Sequence, residues 1–193
     1  MAEVRASDCN SYVSKDQSEP INRDPINWVQ RGAVTQVINE GNCNSDWAVA
    51  TVGAIEGAYY VFSGTEKDLR RLSPQQLVDC ATTEDNCWGG AVEGAIYYSL
   101  NHLIEEYDDY PYTQASGEAC NYNEDLGSVR VDGCSLLPID QPWDIVDALY
   151  TSPVAIQLEA DTWNFQHYKS GIFRDTNCGT TLNHAVLVVG WGV

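Results

Sequence analysis

The stretch Gly41-Asn42-Cys43-Asn44-Ser45-Asp46-Trp47 runs without a break into Ala48-Val49-Ala50-Thr51-Val52-Gly53-Ala54-Ile55-Glu56-Gly57-Ala58, and this junction constrains the fold more than any other part of the chain. From Asp46 to about Phe62, apolar residues recur at Trp47, Ala50, Ala54, Ala58, Val61 and Phe62, with Ile55 beside them. That is a helical period. Small residues on several faces let neighbours approach from more than one side, which predicts a helix buried in the middle of the molecule. Ser45 and Asp46 are favourable residues for its N-terminus.

A chain of 193 residues can bury a substantial core as one unit of one or two lobes. No apolar run is long enough to span a bilayer, so membrane insertion is not expected. The first eight residues lack the apolar centre of a signal peptide, and any targeting segment is expected to have been removed or never present. The formal charge of −18 is spread along the chain, with a local concentration at Glu105, Glu106, Asp108 and Asp109. Such an acidic protein repels nucleic acid and anionic lipid, which argues against both as partners. Seven cysteines suit disulfides in an oxidising compartment, extracellular or a lysosome-like lumen. No Cys-x-x-Cys pair or cysteine–histidine cluster has metal-ligand spacing, so neither metal nor cofactor is expected. Seven is odd, and one thiol must lack a partner within the chain.

Residues 1–20 read as a polar N-terminal arm, and the compact part begins at Pro25-Ile26-Asn27-Trp28. Leu72-Ser73-Pro74-Gln75-Gln76-Leu77-Val78-Asp79-Cys80 carries a serine cap, a proline at the first helical position and a glutamine at the third, predicting a short helix. Gly90 to about Leu103 reads as another. Beyond Tyr110-Pro111-Tyr112, strand-like runs at Val129–Val131, Val154–Leu158 and Ala185–Val189 alternate with turn signals, with a short helix at Trp143–Leu149. Helices first and strands afterwards predict an α+β protein with two lobes.

The segment from Gly41 to Trp47 resembles the active-site segment of papain-like cysteine peptidases, Gly-x-Cys-x-x-Cys-Trp. Arg31-Gly32-Ala33-Val34-Thr35, the Leu72–Cys80 run, Cys87-Trp88-Gly89-Gly90, Tyr110-Pro111-Tyr112, Tyr168-Lys169-Ser170-Gly171-Ile172-Phe173 and Asn183-His184-Ala185-Val186-Leu187-Val188-Val189-Gly190-Trp191-Gly192 also resemble family segments, in family order. The resemblance covers about Pro25 to the last residue. It implies a papain-like domain over 21–193, with a helical lobe over about 21–128 and a β-rich, barrel-like lobe over about 129–193. It also implies disulfides Cys43–Cys87 and Cys80–Cys120, and a Cys9–Cys134 bridge resembling one in the mite group-1 allergens, with Cys178 left over. The family's orienting asparagine would lie beyond Val193, so the C-terminal part of the second lobe is expected to be missing. Either the sequence continues, or another chain or the N-terminal arm covers the edge left open there.

The resemblance also marks two departures from the usual chemistry. The family's nucleophilic cysteine is replaced by Asp46, and the glutamine that donates to the oxyanion by Glu40. His184 matches the family histidine. A carboxylate at a helix N-terminus gains roughly 0.3–1 kcal/mol from the dipole, and Asp46 is expected to pair with protonated His184 in imitation of the thiolate–imidazolium pair. Attack by an aspartate on an amide would give a mixed anhydride, far more reactive than the amide itself, so the acyl group would return. Glu40 would repel an oxyanion where a donor is needed, and losing one donor alone costs on the order of 100–1,000-fold in rate. Ser45 is one residue out of register, and Cys43 is expected in a disulfide.

By resemblance, Gly89 and Gly90 would pair with an extended peptide, and Val92, Ala155, Gln157 and Leu182 would line the main side-chain pocket, with Trp47 and Asn183 completing the cleft. Glycine pairs are also plain turns, and the apolar residues also read as plain core. The resulting expectation is an inactive papain-fold protein that works by binding a peptide or protein ligand. Two alternatives are an active cysteine endopeptidase whose nucleophile has been altered, and an acidic matrix protein that uses Cys178 or the edge after Val193 for assembly.

Overall fold

The small side chains between Asp46 and Phe62 form helix α1 (Asp46–Phe62) of the computed structural model, which describes residues 9–12, 24–64, 68–116, 119–139 and 141–192. Most of the predicted N-terminal arm and the edge after Val193 lie outside the described residues. The other helices are α2 (Pro74–Cys80), α3 (Val92–Asn101), α4 (Pro142–Leu149) and α5 (Trp163–Gln166). The strands are β1 (Asn10–Ser11), β2 (Ile26–Asn27), β3 (Ile104–Glu105), β4 (Gly127–Val129), β5 (Ser135–Leu136), β6 (Val154–Leu158), β7 (His184–Val188) and β8 (Gly190–Trp191). Helices dominate the first half and strands the second, an α+β arrangement.

The starts of α1, α2 and α3 have different causes. Ser73 accepts the Gln76 N–H at 3.0 Å and Pro74 follows, so α2 begins where its cap dictates. α3 is shorter than the Gly90–Leu103 pattern predicts. The Glu84 carboxylate captures the Ala91 N–H ahead of it, and His102 turns extended behind it. At α1 the expected serine cap is absent, because the Ser45 hydroxyl bonds to Tyr112. Asp46 takes over part of that role, accepting the Trp47 N–H at 2.8 Å.

Helix α1 packs against α2 and α3 and against the antiparallel pair β6–β7. A Cβ at Gly57 would strike the Pro153 ring, so only glycine permits that approach. Trp47, Ala48, Leu72, Leu77, Val78, Ala95 and Ile104 are fully buried around α1. Each large apolar side chain there contributes about 1.5–3 kcal/mol of transfer free energy. A second cluster joins Ile26, Trp28 and Ala33 to Leu149, Val154, Val188 and Trp191, and the Trp28 Nε1–H donates to the Leu149 carbonyl at 2.8 Å. The first described residues after position 23 therefore pack with the strand-rich part, and a lobe boundary at residue 128 divides the sequence more cleanly than it divides the core. The predicted strand Val129–Val131 begins and ends two residues earlier, at Gly127–Val129, where β4 pairs with β3 through an irregular register.

Three disulfides join Cys9 to Cys134, Cys43 to Cys87 and Cys80 to Cys120, and Cys178 is an exposed free thiol. Cys43–Cys87 ties the loop entering α1 to the turn before Gly89. No helix among the described residues is long and apolar enough to cross a membrane.

Candidate functional site

The register of β6 with β7 pairs Leu158 with His184 and Gln157 with Ala185, which brings the start of β7 to the N-terminus of α1. There the His184 Nδ1 lies 2.7 Å from Asp46 Oδ2. The same oxygen accepts the Ala185 backbone N–H at 2.7 Å, while Oδ1 accepts the Trp47 N–H. Nδ1 is the donor in this contact, a role assigned from the surrounding hydrogen bonds. Both oxygens of Asp46 are thus occupied, and its side chain is only 15% exposed against 34% for His184. The Asp46 carboxylate links the two halves of the molecule, since the Ala185 amide that it accepts from lies 139 residues away. Ser45 is fully buried, with its hydroxyl bonded to Tyr112. Cys43 is held in its disulfide.

Glu40 is held on a loop pinned from several directions. Its carbonyl accepts from the Tyr112 hydroxyl at 3.1 Å and from the Cys43 N–H at 3.3 Å. The Gln114 amide donates to the Asn39 carbonyl at 3.1 Å. Gly41 has φ 65°, and a Cβ there would collide with Gln114, so glycine is required twice over. The Glu40 carboxyl is raised above the ordinary glutamate range, chiefly by burial and next by the Asp46 carboxylate. His184 and the backbone amides of Asp46 and Ser45 act in the opposite direction. One oxygen, Oε2, is buried and accepts no hydrogen bond. A carboxyl group therefore stands beside the Asp46 and Ser45 amides at the start of α1.

The remaining residues divide between the cleft and its supports. Trp47 does not line the cleft: it is fully buried beneath Gly90, whose Cβ, if present, would lie 2.6 Å from the indole. An indole at the first turn of a central helix buries more apolar area below the surface than at it, which explains the difference from the sequence expectation. Val92 and Ala155 pack against that core cluster, Gln157 is half-buried on β6, and Leu182 is exposed. Gly89 has φ 129°, a conformation that favours glycine, and its carbonyl accepts the Asp85 N–H at 3.1 Å. Asn183 accepts the Ala160 N–H at 2.8 Å. With Ala160, Asp161, Phe165, Gln166 and His184 it surrounds a cavity of about 640 Å³. Tyr112, Gln114, the Ala185 amide and the Asp161–Gln166 wall carry no local signal of a role at the site, since each reaches it only through the fold. A second cavity, about 590 Å³ between β2 and β8, contains none of these groups. Among the described residues no cluster of three or more His, Cys, Asp or Glu is arranged to hold a metal.

Residues 23–193 match the family described as papain family cysteine protease. The chain belongs to that family. It is 38% identical to zingipain-2 of Zingiber officinale over 170 residues, covering 88% of this chain and 75% of that one. It is 35% identical to cysteine proteinase 4 of Dictyostelium discoideum, covering 86% of this chain but only 39% of that protein. The chain spans less than half the length of most of these curated relatives. Among solved structures, the Carica candamarcensis cysteine protease CMS1MS2 in complex with E-64 superposes with a TM-score of 0.79 at 35% identity, over 87% of this chain and 77% of that one. Papain-family membership accounts for the order of the segments from Arg31 to Gly192 and for the two-lobe α+β fold.

Proposed function

We propose that this papain-family chain is catalytically inactive and works by binding an extended peptide or protein segment in the cleft between its lobes. The observation that carries the reading is Asp46. At the position of the family nucleophile stands a carboxylate with three donors, His184 Nδ1, the Ala185 amide and the Trp47 amide. A carboxylate so engaged is a weak nucleophile, and the anhydride it would form with an amide returns to it. Glu40 adds to the deficit by presenting a carboxyl group to the place of the oxyanion.

Binding has separate support. The Gly90 N–H and C=O are bonded to no other backbone group among the described residues, which leaves them available to an added strand. A Carica relative is solved in complex with E-64. The helical part over about 21–128 and the β-rich part over about 129–193 would form the two walls, with residues 26–33 returning to the second. The disulfides suit an extracellular or luminal setting.

The test is incubation of the protein with fluorogenic peptide pools and with a thiol-directed epoxide. No turnover and no labelling at the cleft are expected. Turnover that persists with chelators present but vanishes in Asp46→Ala would overturn the reading. In the repaired pair Asp46→Cys with Glu40→Gln, hydrolysis is expected to exceed that of Asp46→Cys alone by on the order of 100–1,000-fold, the usual contribution of one oxyanion donor.

A further inference from the structure

The reading of the cleft as a peptide-binding site leaves the chemistry of its ligand open, and the turn in front of Gly90 narrows it. Trp88 is the most exposed of the six tryptophans, with 86% of its surface open to solvent. A single exposed apolar residue needs no explanation by itself, but this one is held on a fixed turn. The Trp88 N–H donates to the Asp85 carbonyl at 2.9 Å, and the Asp85 N–H to the Gly89 carbonyl at 3.1 Å. Cys87 is tied to Cys43 by a disulfide, and its carbonyl accepts the Asn44 N–H at 3.1 Å. The Trp47 Nε1–H donates to the Asn86 carbonyl at 3.3 Å. The backbone that carries the indole is thus braced against the entry to α1, so a ligand there has little left to order. Gly90 follows two residues later, no more than about 7 Å along the chain. Its N–H and C=O are bonded to no other backbone group among the described residues. Chain neighbours apart, no atom lies within 4 Å of where a Gly89 Cβ would stand, so the space beside the turn is open.

An indole face accepts either an apolar side chain or a cation, and the charge around Trp88 decides between them. Residues 72–129 contain eleven Asp and Glu and no Lys or Arg. Asp85 is exposed, and its carboxylate has no hydrogen-bond partner among the described residues. The turn closed by the Trp88 N–H brings the Cα atoms of Asp85 and Trp88 within about 7 Å of each other. Elsewhere the chain lays its own guanidinium groups on aromatic faces: Arg31 over Trp28, Arg70 over Tyr59 and Arg71 over Tyr107. Among the described residues Trp88 has neither a stacked ring nor a cation from the chain itself.

We propose that Trp88 and Asp85 select the ligand: a guanidinium or ammonium group of the bound peptide lies on the Trp88 indole beside the Asp85 carboxylate, while the peptide backbone pairs with Gly90. The indole supplies the contact face, and the carboxylate makes a cation the better occupant. Two sources share that chemistry, a lysine or arginine side chain and a free amino terminus. This inference rests on the cleft being a peptide-binding site.

The experiment titrates the full chain with fluorescent hexapeptide pools fixed in turn with Arg, citrulline, Lys, norleucine or Phe at each position. Every pool is prepared both acetylated and with a free amino terminus. Pools carrying the cation are expected to bind about 5-fold tighter than the neutral citrulline and norleucine pools, the scale of a cation on an exposed indole. That preference should disappear in Trp88→Ala, weaken in Asp85→Asn and survive, reduced, in Trp88→Phe, which separates loss of the ring face from misfolding. Preference confined to free amines would identify the amino terminus as the source, and preference within acetylated pools the side chain. A preference that persists in Trp88→Ala overturns the proposal, since the cation is then held elsewhere on the acidic surface. Norleucine and Phe pools that bind as tightly as Arg overturn it as well, because the indole is then a plain apolar anchor. Equal binding of all pools overturns it while leaving a peptide-binding cleft intact, and binding of none overturns both.

Discussion

Two glutamates on either side of the entry to α1 show how differently one side chain can be used. Glu56, within the helix, is 2% exposed, and both of its oxygens are satisfied. Oε2 accepts from the Thr35 hydroxyl at 2.6 Å and Oε1 from the Leu72 N–H at 2.8 Å. It stitches the segment before α1 and the segment before α2 to the central helix. Glu40, before the helix, is partly exposed, and its Oε2 accepts nothing. Burial raises the proton affinity of both. In the first, backbone and side-chain donors meet both oxygens and offset part of the cost of burial, so the group is part of the framework. In the second the Asp46 and Ser45 amides offset it only in part, and one buried oxygen stays unmet.

The sharpest way to break this comparison is to truncate each residue. Glu56→Ala leaves a cavity, an unpaired Thr35 hydroxyl and an unpaired Leu72 amide, with an expected loss on the order of 4 kcal/mol in urea unfolding. Glu40→Ala should change stability by no more than about 0.5 kcal/mol, as surface substitutions do. Equal losses would abolish the distinction between framework and cleft.

The next largest effect is on pH dependence. Burial pushes the Glu56 carboxyl up to about 7 from an ordinary 4.5, against its hydrogen bonds to Thr35 and Leu72 and the charge of Arg71. Between those two values the folded state holds a proton that the unfolded state has released. Stability from this group is therefore greatest below about pH 4.5 and is lost as pH rises through 7. The loss amounts to about 3 kcal/mol, because each tenfold difference in proton affinity between the two states is worth about 1.4 kcal/mol. The difference in unfolding free energy between the native chain and Glu56→Gln, followed from pH 4 to 8, isolates the effect. Glu40→Gln should leave that slope in place. A flat difference curve for Glu56→Gln would mean that its carboxylate is stabilised in the ionised form.

The smallest effect concerns the carboxylate that joins the two regions. Asp46→Ala removes the acceptor for His184 Nδ1 and for the Ala185 amide, with an expected loss of about 2 kcal/mol. Hydrogen exchange should quicken at the Ala185 amide while the Leu72 amide, held by Glu56, stays protected. Exchange that quickens at both would show the site and the framework to be one cooperative unit.

Much of the fold follows from local spacing. The bounds of α1 and β6 follow from periodicity and small-residue placement, and the start of α2 from its serine cap and proline. Those signals act within a few residues, where backbone geometry and capping decide the outcome. Boundaries move where a distant group intervenes: Glu84 shortens α3, and pairing with β3 shifts β4. Trp47 shows the same limit at the site. Its place in the motif is plain in the sequence, but its burial beneath Gly90 depends on packing.

By itself the sequence determined the family and the position of the central helix, because each is written in adjacent residues. Only the tertiary structure decided that groups from β7 donate to Asp46 and that the Glu40 carbonyl is held by Tyr112, 72 residues away, with one carboxyl oxygen unmet. A hydrogen bond between residues so far apart has no local signature, since it exists only after the loop entropy between them has been overcome by the packing of the whole core.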